Sequence, residues 1–278
     1  MEGRDPPPAR GPGRGFCLRG GTRWDTFRQT GTRPDTVGVP GPTPLFAARR
    51  GDTLFPAPHL VSGDVHHEYG NPILEDSVHW PDGTEVTSAL TRDGTTVPPR
   101  TDNGMTVYDL PQARARYELR LVYNSSRPGC DGYKVDTAWG FSSERPIAQN
   151  VPAGYVCGRD GTSGTGDCAA TSTLLLDYDI PLDLLHNASP GPVTATISAH
   201  HQPGAAAPAL TGLQASVSYD GGTTWQQATT TKKDDHTYTA ALDFSGQAGK
   251  SVTLRVQAQD SGGNTVHQTI YKAFTVQN

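Results

Sequence analysis

Leu213-Gln214-Ala215-Ser216-Val217-Ser218-Tyr219-Asp220-Gly221-Gly222-Thr223-Thr224-Trp225 contains a half-buried strand and the turn that ends it. Leu213, Ala215, Val217 and Tyr219 alternate with more polar neighbours, and a period of two places one apolar row on one face of a sheet. Asp220-Gly221-Gly222 then stops the pattern with residues suited to turn geometry. The alternation recurs upstream in Val193, Ala195, Ile197 and Ala199. Downstream it recurs in Tyr238, Ala240, Leu242 and Phe244, in Val252, Leu254, Val256 and Ala258, and in Val266, Ile270, Phe274 and Val276. Pro203-Gly204, Gly246-Gln247-Ala248-Gly249 and Asp260-Ser261-Gly262-Gly263-Asn264 punctuate these runs.

Short strands with turns every ~8–12 residues describe a β-sandwich of immunoglobulin or fibronectin type III character over residues 193–278. Further upstream, Tyr117, Leu119, Leu121 and Tyr123 alternate with polar side chains, as do Val135, Thr137, Trp139 and Phe141. Leu174, Leu176, Tyr178 and Ile180 form another row. Weaker strands are expected at Glu85–Leu90 and Met105–Asp109, with Asp93-Gly94 as a turn between them. Residues 52–187 are therefore expected to form a first β-sandwich-like domain, interrupted by a long irregular loop at 142–171. Residues 1–51 are rich in Pro, Gly and Arg and show no apolar period, so a disordered basic leader is expected there. It has no apolar core of the ~7–15 residues that mark a secretory signal. The expected fold class is all-β: two antiparallel sandwiches behind a disordered leader.

Composition narrows the function. The 278 residues include 32 Gly and 23 Pro, too many breakers for a helical bundle. No apolar run approaches the ~20 residues of a membrane-crossing helix, and no membrane insertion is expected. A net charge of -5 argues against a general nucleic-acid binder. The first 50 residues nevertheless hold nine Arg against Glu2, Asp5, Asp25 and Asp35. Such a basic arm either is solvated or binds an anionic surface.

Ser218, Asp220, Gly222, Thr224 and Trp225 fit the pattern S-x-D-x-G-x-T-W, the Asp-box known from the hairpins of sialidase propellers. The Asp accepts backbone N–H bonds across the turn, Gly takes a positive φ, and Trp packs over the hairpin. A propeller would repeat the motif every ~40–50 residues, and here it occurs once. It therefore reads as a structural hairpin, with a ligand-facing loop as the alternative.

Other motifs fail on chemistry. Gly161-Thr162-Ser163-Gly164-Thr165-Gly166 lacks the second Gly of a nucleophile elbow at Thr165, and the Lys of a phosphate loop. His66-His67-Glu68 would need His at 71 for a zinc-peptidase helix, where Asn71 stands. His200-His201 sits at a strand end, where neighbours point to opposite faces. Asp177, Asp179 and Asp183 could supply carboxylates to calcium, but a polar outer strand face explains the same pattern, and no metal or other cofactor is expected. Cys157 and Cys168 flank the Gly-rich segment and could close it as a disulfide; Cys130–Cys157 is the competing bond, with Cys17 free. A disulfide would imply an oxidising compartment. Asn124 and Asn187 begin glycosylation acceptor patterns. Trp80, Trp139, Trp225, Tyr133 and Tyr155 are the aromatics able to stack sugars if they face solvent.

Ala89-Leu90-Thr91-Arg92-Asp93-Gly94, Tyr117-Glu118-Leu119, Thr137-Ala138-Trp139-Gly140-Phe141-Ser142-Ser143 and Leu176-Asp177-Tyr178-Asp179 lead in order to the Asp-box and to Asp260-Ser261-Gly262-Gly263-Asn264. Over about residues 52–278 this succession resembles the C-terminal, non-catalytic region of large secreted subtilisin-like serine peptidases of actinobacteria. The resemblance implies tandem β-sandwich accessory domains downstream of a protease domain, and a secreted protein. The catalytic signatures of that family do not carry over: Gly161-Thr162-Ser163 continues with Gly164, and none of the nine His is followed by Gly. The expected function is a non-catalytic accessory region whose partner is its parent protease domain. A carbohydrate- or cell-surface-binding module is the alternative. An enzyme using Asp177, Asp179 and His200 or His201 is the third reading.

Overall fold

The computed structural model describes residues 23–24, 43–56, 84–102, 104–125, 133–153, 155–157, 166–183 and 187–278. Among the described residues the fold is all-β, in several largely antiparallel sheets, with no helix. The principal strands are β1 (Ala47–Arg50), β2 (Thr53–Pro56), β3 (Thr84–Arg92), β4 (Met105–Asp109), β5 (Ala115–Ser125), β6 (Tyr133–Ser143), β7 (Leu174–Asp179), β8 (Pro192–His201), β9 (Leu210–Ser218), β10 (Thr237–Asp243), β11 (Ser251–Asp260) and β12 (Thr265–Val276).

The largest sheet runs β9-β11-β12-β6-β5-β3, with Gln226–Gln227 beside β9 and Thr95–Val97 beside β3. A second sheet runs β7-β8-β10, flanked by Arg23–Trp24 and Thr229–Lys232. A third contains Cys168–Ala170, β1, β2, β4 and Pro99–Asp102. The alternating rows behave as expected. Tyr117, Leu119, Leu121, Val135, Trp139, Ile197, Ala215, Val217, Leu254, Val256 and Ile270 are all buried in one apolar cluster. That cluster draws on both main sheets, so the sheets pack face to face. A polar chain crosses it: Tyr178 Oη donates to Gln268 Oε1 at 2.7 Å, and Gln268 Nε2 donates to Thr137 Oγ1 at 2.8 Å.

Three observations bear on the expected bounds. First, hydrogen bonding runs across the division near residues 187–193. β6 pairs antiparallel with β12 from Lys134↔Tyr271 to Gly140↔Thr265, and β7 pairs with β8 from Leu174↔His201 to Asp179↔Thr196. Strands from both sequence halves thus share both sheets, because β6 and β12 each bury one face and find in the other a ready hydrogen-bonding edge. Second, the expected leader 1–51 ends too late. Leu45, Phe46, Ala47 and Ala48 are buried, and β1 pairs with β2; the short apolar run Leu45-Phe46-Ala47-Ala48 outweighs the Pro- and Arg-rich flanks. Arg23–Trp24 also pairs with β7. The rest of that leader lies outside the described residues. Third, Cys168–Ala170, inside the expected irregular loop 142–171, forms a strand on β1. The Asp93-Gly94 turn is present, with φ 48 and 80, and joins β3 to Thr95–Val97 rather than to β4.

Candidate functional site

The Asp-box turn closes on itself through one hydroxyl and one carboxylate. Ser218 Oγ donates to Asp220 Oδ1 at 2.7 Å and accepts from Gly222 N at 2.8 Å. Asp220 Oδ1 accepts from Thr223 N at 3.0 Å and Thr224 N at 2.9 Å, and Oδ2 accepts from Thr224 Oγ1 at 2.6 Å. These donors, the Thr224 hydroxyl foremost, hold the Asp220 carboxyl well below the usual carboxylate range. Gly221 and Gly222 take φ 72 and 96, as the turn requires.

Trp225 folds back over this hairpin, half-buried. A Cβ placed on Gly222 would lie 3.3 Å from Trp225 Cζ2 and 3.6 Å from Tyr271 Cε1, so the turn sits against both rings. Each ring carries a cation. The Arg255 guanidinium lies 4.0 Å from the Trp225 ring centroid, and Lys134 Nζ lies 5.1 Å from that of Tyr271. Both cations stand at outward positions of the large sheet, on β11 and β6, either side of β12. Nearby Tyr219 donates its hydroxyl to Asp243 O at 2.7 Å, and burial pushes its pKa up to about 12.

The other sugar-stacking candidates separate. Trp139 is 1% exposed, packs 4.8 Å from the Phe46 ring, and donates Nε1–H to Leu174 O at 2.7 Å. It is a core residue and offers no face to a ligand, because its strand position points inward with Leu119 and Val135. Tyr155 is half-buried against the cluster around Cys157 and Cys168. Trp80 and the Tyr133 side chain lie outside the described residues.

Asp177, Asp179 and Asp183 do not converge. Asp177 faces His200 Nδ1 at 3.3 Å. Asp183 accepts from Asn187 N at 2.8 Å and Gln277 Nε2 at 3.0 Å, tying the strand-end turn to the C-terminal strand. Asp179 is exposed. Among the described residues no group of three or more His, Cys, Asp or Glu is placed to hold a metal, and the Asp183 carboxylate is used in a turn. The two adjacent histidines point apart. His201 Nε2 lies 2.8 Å from Asp260 Oδ2, both side chains out of water. Asp260 also accepts from Asn264 N at 2.8 Å and Asn264 Nδ2 at 2.7 Å. Burial holds His201 below its ordinary pKa despite that carboxylate.

Cys157 and Cys168 form a disulfide with Cα atoms 6.0 Å apart; Cys17, Cys130 and His66-His67-Glu68 lie outside the described residues, as does most of the Gly161–Gly166 loop. Asn124 is exposed on β5, and the Asn187 amide donates to Asp183.

Sequence reasoning did not single out Arg255, Lys134, Tyr271 or Arg49. All three are partly exposed, and Arg255 stands between the buried Leu254 and Val256, a visible signal, but their meeting depends on strands far apart in sequence. Arg49, 1% exposed, donates to Gly51 O at 2.9 Å and Pro111 O at 2.6 Å. It floors a cleft of about 440 Å³ with Arg114, Ser143, Arg145 and the exposed Ile147. That cleft's charges are largely paired: Arg145 with Asp52 at 2.8 Å, Arg114 with Glu144 at 3.8 Å. Compared with known proteins, the sequence matches no family model and no curated protein.

Proposed function

We propose that this chain is a secreted, non-catalytic β-sandwich accessory region of the kind that follows the catalytic domain of subtilisin-like peptidases, with residues 193–278 as its immunoglobulin- or fibronectin type III-like part. One observation carries the reading. The buried ionisable groups Arg49, His201 and Asp260, which could serve chemistry, hold strands and turns together instead. A reactive site needs a nucleophile, a base and an oxyanion-holding pair of donors in one place; the His201–Asp260 pair closes on Asn264. The Cys157–Cys168 bond supports an oxidising compartment. Incubation of the purified chain with casein is expected to release no peptides. Turnover that a serine-reactive inhibitor abolishes would overturn the reading.

A carbohydrate- or cell-surface-binding module is the second reading, favoured by Trp225 and Tyr271, both partly exposed and both against Gly222 on the outer side of the large sheet. Stacking on such rings is how sandwich modules hold sugars. Retention on an insoluble polysaccharide, lost in Trp225→Ala, is the expected result for this reading.

A further inference from the structure

We propose that the outer face around Trp225, Arg255, Tyr271 and Lys134 binds an acidic polysaccharide, with the carboxylates of uronate residues seated on Arg255 and Lys134. This deepens the glycan-binding reading and rests on it.

The register fixes the site. Arg255 on β11 is opposite Thr269 on β12, and Tyr271, two residues on, is opposite Lys134 on β6. Strand spacing and rise per residue put the Arg255 and Lys134 Cα atoms about 12 Å apart. Each side chain leans on a ring, which limits its rotamers before a ligand arrives and so lowers the entropy cost of binding. A guanidinium lying on an indole keeps its N–H edge free for the two oxygens of a carboxylate.

Neighbouring acids leave both cations uncompensated. Asp136, next outward beyond Thr269, is held by Arg120 through two bonds of 2.8 and 2.6 Å. Asp220 is taken up by the turn. Among the described residues, neither Arg255 nor Lys134 has an ion pair. Ser216, Gln257 and Thr269 stand on the same outward side, all partly exposed, and supply hydroxyls and amides of the kind that meet sugar hydroxyls. A nucleic acid is the poorer fit: two cations at this face are few for a phosphodiester backbone, where ~6–10 phosphate contacts are common.

The test is affinity electrophoresis of the full chain through gels holding polygalacturonate, neutral galactan or no polymer, with oligo(dT) binding measured separately. Polygalacturonate is expected to retard the chain, and galactan at least ~10-fold less, since a paired carboxylate is the strong contact. The R255Q/K134Q double variant should lose ~10-fold or more in affinity while its thermal unfolding midpoint stays put. Should that variant unfold, salt decides with the unaltered chain: retardation should vanish between about 0.05 and 0.5 M NaCl as screening shortens to a few ångströms. Equal retardation by galactan overturns the proposal and leaves the glycan reading standing. Retardation by neither polymer removes both. Tighter binding of oligo(dT), undiminished binding by the folded variant, or salt-insensitive retardation each overturns the proposal.

Discussion

The His201 side chain contacts that of Asp260 out of solvent, and its protonation is set by opposed effects. Burial, the largest, lowers its pKa, with His236 and His200 adding to the lowering, while Asp260 raises it. With the folded value below the ordinary ~6.5, the unfolded chain binds more protons in the interval between them. Stability therefore rises with pH across that interval, and falls as pH drops below the ordinary value. The urea midpoint is expected to be lower at about pH 5.5 than at about pH 7.5, and His201→Gln should reduce the difference. A midpoint that climbs on acidification sinks this account. At this scale the sequence was legible where partners are neighbours. Ser218, Asp220 and Thr224 sit within a few residues, and their bonds follow the motif. His201 and Asp260 are 59 residues apart, and only the meeting of two strand ends joins them.

Among elements, the Cys157–Cys168 bond and Arg49 do similar work at the same sheet. The disulfide ties Tyr155–Val156 to the strand beside β1, across a separation of 11 residues. In the chain-entropy account, closing so short a loop contributes about 3 kcal/mol. Equilibrium urea unfolding with and without reductant is expected to differ by that order, with the Cys157→Ala/Cys168→Ala variant unaffected by reductant. Reductant-independent stability of the unaltered chain would count against it. The sequence left two pairings open, Cys157–Cys168 and Cys130–Cys157, and the structure has the first. The start of the ordered fold was not: Leu45-Phe46-Ala47-Ala48 is too short to show a period beside so much Pro and Gly, yet it is buried throughout. Trp139 stands in an alternating row whose shared face was legible, but only the packing showed that this face was core.

For the whole molecule, the decisive contact is β6 against β12. It joins strands more than a hundred residues apart, and no local pattern announces such pairing; alternation says which face is buried, not which edge finds which partner. Residues 193–278 expressed alone would lose β6 from one side of β12 and β7 from one side of β8. That fragment is expected to show strand-type far-ultraviolet dichroism, weak near-ultraviolet signal and self-association through the bared edges. A monomeric fragment with sharp, dispersed amide resonances would argue for two independent units instead.

The hydroxyl–amide–hydroxyl chain from Tyr178 through Gln268 to Thr137 has a consequence for how the two layers find their alignment. Hydrocarbon side chains cohere without preferring one offset to its neighbour, so greasy faces can settle in several ways. Three polar groups that must meet end to end accept a single offset, since any other strands them dry. Phe, Leu and Val in their places would fill much the same space and remove four desolvated polar atoms from the interior. The layers would then hold together as firmly, with fewer contacts, Trp139–Leu174 and His201–Asp260 among them, left to tell them where to stop.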